Sequence, residues 1–172
     1  MEGELMDPIV SQVIERLKKR NEQSSEVTYS KNITVPTDDV FVNSANLIIK
    51  KVSIELISEL YRLNTANPWI SWILKGLDYE VDFQLNISKY SINFIPLVMI
   101  RDWPILFVVD GKNPIYSFQS KIIARSNLAA IPDNSIVVMD NNQKLTNEAE
   151  EISSLKNLKL QVRTDENCIW QK

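Results

Sequence analysis

Apolar positions along this chain follow two regimes, helical at the start and a strand–helix alternation from about residue 38 onward. Over 7–23 the order DPIVSQVIERLKKRNEQ places Ile9, Val10, Val13, Ile14 and Leu17 on one helical stripe, with Glu15, Arg16, Lys18 and Lys19 off it. Asp7 suits the cap and Pro8 the first helical position, while Lys18, Lys19 and Arg20 sit at the negative end of the dipole. Residues 23–37 are mostly polar, show no sustained period and contain Pro36, which predicts a linker.

The remainder alternates. VFVNSANLIIKKV at 40–52 reads as β-rich, and Ser53 can cap a helix whose shared face holds Ile54, Ile57, Leu60 and Tyr61. A second helix is predicted from Pro68, with Ile70, Ile73, Leu74 and Leu77 buried and Gly76 near its end. In YEVDFQLNI at 79–87 apolar and polar residues alternate strictly, the mark of a half-exposed strand near a sheet edge. PILFVVD, the turn at Asp110 and Gly111, and PIYSF form a hairpin signal, because the Asp-Gly pair tolerates the positive φ of a tight turn. A helix over 122–131, a buried strand over 135–139, a helix over 146–157 capped by Thr146, and a strand over 158–162 complete the reading. The expected fold is α/β: a mostly parallel open sheet of about five strands, helices on both faces, a hairpin, and an amphipathic helix in front. The corresponding units are the helix at 1–22, the linker at 23–37, an α/β domain at 38–165 and a tail at 166–172.

With 172 residues, 44% of them hydrophobic, the chain can bury one good core plus an appendage. A net charge of -3 with acids and bases interspersed argues against a nucleic-acid partner, which would want a basic face. Apolar runs such as PILFVV are far too short to span a bilayer, and acidic rather than basic residues precede the first apolar stretch, so neither a membrane span nor a secretory leader is expected. A cytoplasmic location follows. The single cysteine, Cys168, cannot form an internal disulfide and has no cationic neighbour in sequence to activate it.

What most narrows the chemistry is the complete lack of histidine, which removes the commonest general base and metal ligand. Only Gly3, Gly76 and Gly111 are glycines, and none builds a phosphate-cradling loop. Carboxylate chemistry has candidates in Asp38 with Asp39, in Asp78 with Glu80 and Asp82, and in Asp102 with Asp110, but solvated faces and turns explain each of them more simply. Lys121 and Arg125 flank a helix start and can hold an anion, though such charges are usually solvated. Trp69 and Trp72 share a helix and favour core packing over an interface; Trp170 falls in the tail. No catalytic residue, cofactor or metal ligand is therefore assigned.

The candidate site is the stripe of Ile9, Val10, Val13, Ile14 and Leu17, because each such side chain gains roughly 1.5–3 kcal/mol on full burial. It either folds back on its own domain or enters a partner's groove; a membrane surface suits it less, since the stripe is narrow and has no aromatic residue. MDPIVSQVIERLKKR resembles the short helices that target cargo to bacterial microcompartments. Residues 94–162, notably the Asp-Gly hairpin, the helix before SIVVM, and KLTNEAEEISSLKNLKLQV, are similar to the C-terminal half of the PduM family of propanediol-utilisation microcompartment proteins. That resemblance implies a non-catalytic assembly role, linking shell proteins and enclosed enzymes inside the compartment through the N-terminal helix. The alternative is a small flavin- or nucleotide-binding domain of flavodoxin-like architecture, although DNNQK at 140–144 stands where small phosphate-receiving residues would be needed.

Overall fold

In the computed structural model, which describes residues 8–163, the chain runs α1 (Pro8–Glu22), β1 (Ser24–Thr28), α2 (Asp39–Asn43), β2 (Asn46–Lys50), α3 (Ile54–Tyr61), α4 (Pro68–Asp78) and β3 (Asp82–Ile87). A 3-10 turn (Lys89–Phe94) leads to α5 (Leu97–Asp102), β4 (Ile105–Val109), β5 (Asn113–Tyr116), β6 (Ile122–Ile123) and α6 (Arg125–Ala129). β7 (Ile136–Asp140), β8 (Lys144–Leu145), α7 (Asn147–Leu155) and β9 (Lys159–Arg163) follow. Asp7, Cys168, Trp170 and the whole 166–172 tail lie outside the described residues.

Among the described residues the main sheet has seven strands, in the order β1-β2-β3-β4-β5-β7-β9, and all neighbours pair in parallel except β4 with β5. The expected α/β class holds, with more strands than the five anticipated. The β4–β5 hairpin turns at Asp110 (φ 50) and Gly111 (φ 70), where two left-handed residues reverse the chain as the Asp-Gly signal implied. That hairpin also reverses strand direction, so β5, β7 and β9 run opposite to β1–β4.

The reversal decides which face each helix covers. A right-handed crossover between up-strands and one between down-strands, both stepping the same way across a sheet, lie on opposite faces. The alternation along β7 shows this: Ile136 and Val138 join the large core under α2–α5, whereas Val137 and Met139 join a second core with Leu128 of α6 and Ala149 of α7. Helices therefore cover both faces, each over its own half of the sheet. The rear face of β1–β3 keeps polar groups instead: Glu26, Ile48, Gln84 and Leu106 of β4 form one register row, and Lys50 pairs with Glu26. Neither Ile48 nor Leu106 belongs to either core among the described residues.

Three expectations need correction. β3 is not an edge strand, since it lies between β2 and β4; its alternation arises because the rear face is uncovered, not because the strand is peripheral. The β-rich reading of 40–52 splits, as 39–43 form a short helix that buries Phe41 and leaves Val42 outside. Tertiary burial of one aromatic outweighs the local β preference of Val and Phe. Finally, the linker at 23–37 contains β1, whose polar SSEVT sequence hides its role. β1 pairs with β2 from Ser24 opposite Asn46 to Thr28 opposite Lys50 and lays one apolar side chain, Val27, against the large core, too little for an apolar face to show in the sequence.

The caps expected at Ser53 and Thr146 form, and Asn67 caps α4 without having been read as a cap in the sequence. Leu56 N–H donates to Ser53 Oγ at 3.2 Å, Trp69 N–H to Asn67 Oδ1 at 3.0 Å and Ala149 N–H to Thr146 Oγ1 at 3.2 Å. On α3 the buried residues are Leu56, Ile57 and Leu60, and on α4 they include Trp69, Ile70, Trp72, Ile73 and Gly76. Both tryptophans are core residues, with rings 5.8 Å apart edge to face.

Candidate functional site

α1 carries an apolar stripe that stays largely exposed. Every residue of α1 is exposed except Arg20, which is half-buried. Ile9 is 67% accessible, Val13 and Leu17 are each 52%, and even Ile14, the most sheltered of the five, is 37%. The five residues share one helical stripe, as their spacing predicted, and the structure leaves that stripe exposed to solvent.

The helix is nevertheless firmly based. Arg20 Nε donates to the Phe41 carbonyl at 2.8 Å and Arg20 Nη2 to the Tyr79 carbonyl at 2.5 Å, while the Arg20 carbonyl accepts from Ala45 N–H at 3.0 Å and Gln23 N–H at 3.1 Å. One residue, Gln23, separates α1 from β1. Instead of swinging on a long leash, α1 is bolted to the end of α2 and to the turn after α4. Charge-assisted bonds of this kind are stronger than neutral ones. In Arg20→Ala the mount loosens: with spin labels at Ser11→Cys and Ser154→Cys in a Cys168→Ser background, the inter-label distance distribution should broaden clearly. A melting temperature only a few degrees lower should accompany it, and an unchanged distribution would mean that Arg20 does not hold the helix.

The other candidate groups do not converge. Asp38 pairs with Lys75 rather than with Asp39. Asp78 closes α4, Glu80 occupies a turn at φ 56 and only Asp82 lies in a strand, so these three acids do not share the strand face expected of them. Asp102 and Asp110 lie at opposite ends of β4, and the bidentate Arg101 guanidinium holds the Asp102 carboxyl below its usual range. Lys121 precedes β6 and Arg125 opens α6, and neither borders the two hollows described next.

One hollow, about 680 Å³, lies where Tyr29, Lys31, Glu55, Glu59 and Trp69 meet. Lys31 is paired with Glu55, whose hydrogen bond and charge raise the ammonium pKa, so the amine is held protonated and is not a nucleophile at neutral pH. A second, about 590 Å³, sits at the carboxyl ends of the β1–β4 strands between Glu26, Lys50, Asn86 and Gly111, and its Lys50 is neutralised by Glu26. No group of three or more potential metal-binding side chains occurs among the described residues, and none of their helices is long and apolar enough to cross a membrane. Lys31 and Lys50, which line the two hollows, are thus tied up in ion pairs with Glu55 and Glu26.

Comparison with known proteins gives the same direction. Residues 8–159 match the model of the PDU-like family, described as "Putative propanediol utilisation". The chain belongs to this family. It is also similar to the bacterial microcompartment assembly protein PduM of Salmonella typhimurium, with 20% identity over 138 residues that cover 80% of this chain and 85% of that protein. No solved structure matches. The family match begins at Pro8, so it takes in α1 together with the sheet, and it extends through 24–90, where the resemblance rested only on the apolar pattern. Sequence reasoning missed Arg20 as a functional residue, having counted it only as a dipole charge. Its role depends on carbonyls 21 and 59 positions away.

Proposed function

We propose that this family member is a non-catalytic assembly protein of a bacterial microcompartment, joining shell proteins and enclosed enzymes through Ile9, Val10, Val13, Ile14 and Leu17. The observation that carries the proposal is the solvent-facing stripe on a fixed helix. The uncovered sheet face presents Glu26, Lys50, Gln84 and Asn86, which would leave polar groups unsatisfied beneath an apolar helix. Cis docking therefore has little to offer, and a groove on another protein has more. The similarity to a named assembly protein supports the compartment as the setting, and the absence of histidine supports a role without acid–base catalysis.

The flavin- or nucleotide-binding reading is weaker on topology. Such ligands sit where successive crossovers leave adjacent parallel strands toward opposite faces. Here β1–β4 are added in one direction with their helices on one face, and the change of face coincides with an antiparallel hairpin, so no parallel switch point forms among the described residues.

The test uses a fluorescent fusion of the whole chain in cells that make compartments. Val13→Glu with Leu17→Glu should abolish co-localisation with the compartments while lowering the melting temperature by no more than about 4 °C, since each exposed substitution generally changes stability by less than about 0.5 kcal/mol. Unchanged co-localisation would remove the stripe from the targeting role.

A further inference from the structure

We propose that the groove receiving α1 is an apolar channel on a compartment protein, with a carboxylate on each of its two rims beside the pocket for Leu17. This rests on the reading of the stripe as a docking face and gives the chemistry of its partner. Each residue of an α-helix turns by about 100°, so the stripe spans about 140° of the α1 surface, from Ile9 through Val13, Leu17 and Val10 to Ile14. Arg16 then lies about 90° from the midline of the stripe on the Ile9 side, and Lys18 about 110° from it on the Ile14 side. Each is one position from Leu17, so the two cations straddle that side chain with an axial offset of only about 1.5 Å either way.

The acids of α1 point elsewhere. Glu15 and Glu22 fall about 170° and 150° from the midline, on the rear of the helix beside Lys19, which stands four residues after Glu15 and offsets its charge. Along the sequence the basic run is interrupted, but around the helix the stripe is bordered by cations alone. Arg16 and Lys18 are both exposed, and neither has an ion pair among the described residues. Arg20, the next cation on the Arg16 flank, is already committed to the Phe41 and Tyr79 carbonyls. Arg16 and Lys18 are therefore the charges left for a partner. A cation at the border of a buried apolar face loses part of its water and needs a carboxylate opposite to offset that loss, so the apolar contact and the charge specify one groove together.

This layout fits a protein groove better than an anionic lipid surface. The charge is confined to the Leu17 end, since uncharged Ser11 and Gln12 accompany the first half of the stripe. Two bordering cations are fewer than the roughly four to eight that mark an anionic-lipid site, and no aromatic residue of α1 is present to seat among headgroups.

The test is co-sedimentation of the full chain with compartments purified from cells that lack it. Arg16→Gln with Lys18→Gln, which keeps helix propensity, should weaken binding at least about threefold, and Arg16→Glu with Lys18→Glu at least about tenfold. Salt should close the gap between wild type and the glutamine pair, because screening shortens from about 10 Å at 0.1 M to about 3 Å at 1 M. Glu15→Gln with Glu22→Gln, on the rear, should bind within about twofold of wild type. If the rear pair instead strengthens binding as much as the rim pair weakens it, overall charge rather than a two-rimmed groove is responsible, and the proposal is overturned. Adsorption of the wild-type chain to phosphatidylserine vesicles as tightly as to compartments would assign the stripe to lipid and overturn it too. Wild-type binding by Arg16→Glu with Lys18→Glu removes the acidic rims; if Val13→Glu with Leu17→Glu still loses the compartments, the proposed function stands without them, and if it does not, both readings fall.

Discussion

Phe41→Ala should lower the unfolding free energy by about 3–5 kcal/mol, the range for truncating a fully buried aromatic side chain. Phe41 is wholly inaccessible and its ring lies 4.9 Å from that of Trp72, 5.7 Å from Tyr79 and 6.4 Å from Phe83. Removing it opens a cavity among rigid rings that cannot rotate inward to fill it, so the cost belongs at the upper part of that range. The same residue offers its carbonyl to Arg20, so the α1 mount should weaken together with the core. Urea denaturation measures this: the midpoint should fall by more than 1 M or so, given slopes of about 1–3 kcal/mol per molar. Val42→Ala on the same helix is the control, because Val42 faces solvent and its loss should cost under about 0.5 kcal/mol. Similar midpoints for the two variants would mean that α2 does not pack as described.

Gly76→Val should have the next largest effect, about 3 kcal/mol from overpacking. A Cβ added at Gly76 would come within 2.7 Å of Phe83 Cε2 and 2.9 Å of Phe41 Cε1, with Phe83 Cζ closer still. Those atoms belong to rings wedged against Trp72, so neither can retreat cheaply. Gly76→Ala should be milder, since a gain of about 1 kcal/mol in helix propensity offsets part of the clash. The cross-check is a double-mutant cycle with Phe83→Leu, in which the smaller side chain should recover at least about 1 kcal/mol of the Gly76→Ala loss. Strict additivity would locate the cost elsewhere. This glycine stands near the helix end, where sequence reads it as a stop, yet its position is set by how closely α4 approaches β3.

Legibility varied with whether a residue's role depends on its neighbours in sequence or in space. The stripe of α1, the Asp-Gly turn and the caps at Ser53 and Thr146 are local: period, φ tolerance and side-chain reach within four residues suffice to identify them. β1 escaped notice because a polar edge strand has no apolar signature, and β3 was taken for an edge strand because an uncovered rear face leaves the same alternation as a sheet boundary. The site was half legible. The five apolar residues of the proposed site were named from spacing alone, and the same spacing fits cis and trans docking equally well; the proposal of trans docking draws on the polar character of the face that a folded-back helix would meet.

The amino-acid order alone determined that this chain makes a mostly parallel α/β sheet behind an amphipathic helix, and that it lacks the imidazole and glycine-rich loops of common enzymes. Tertiary structure decided that the helix stands fixed and bare: Arg20 finds its carbonyls only once α2 and the end of α4 are in place. The division has a physical cause. Periodicity and turn chemistry act over a few residues, whereas the covering of a face and the anchoring of a helix depend on the hand of each crossover and the direction of each strand, which exist only after the sheet has assembled.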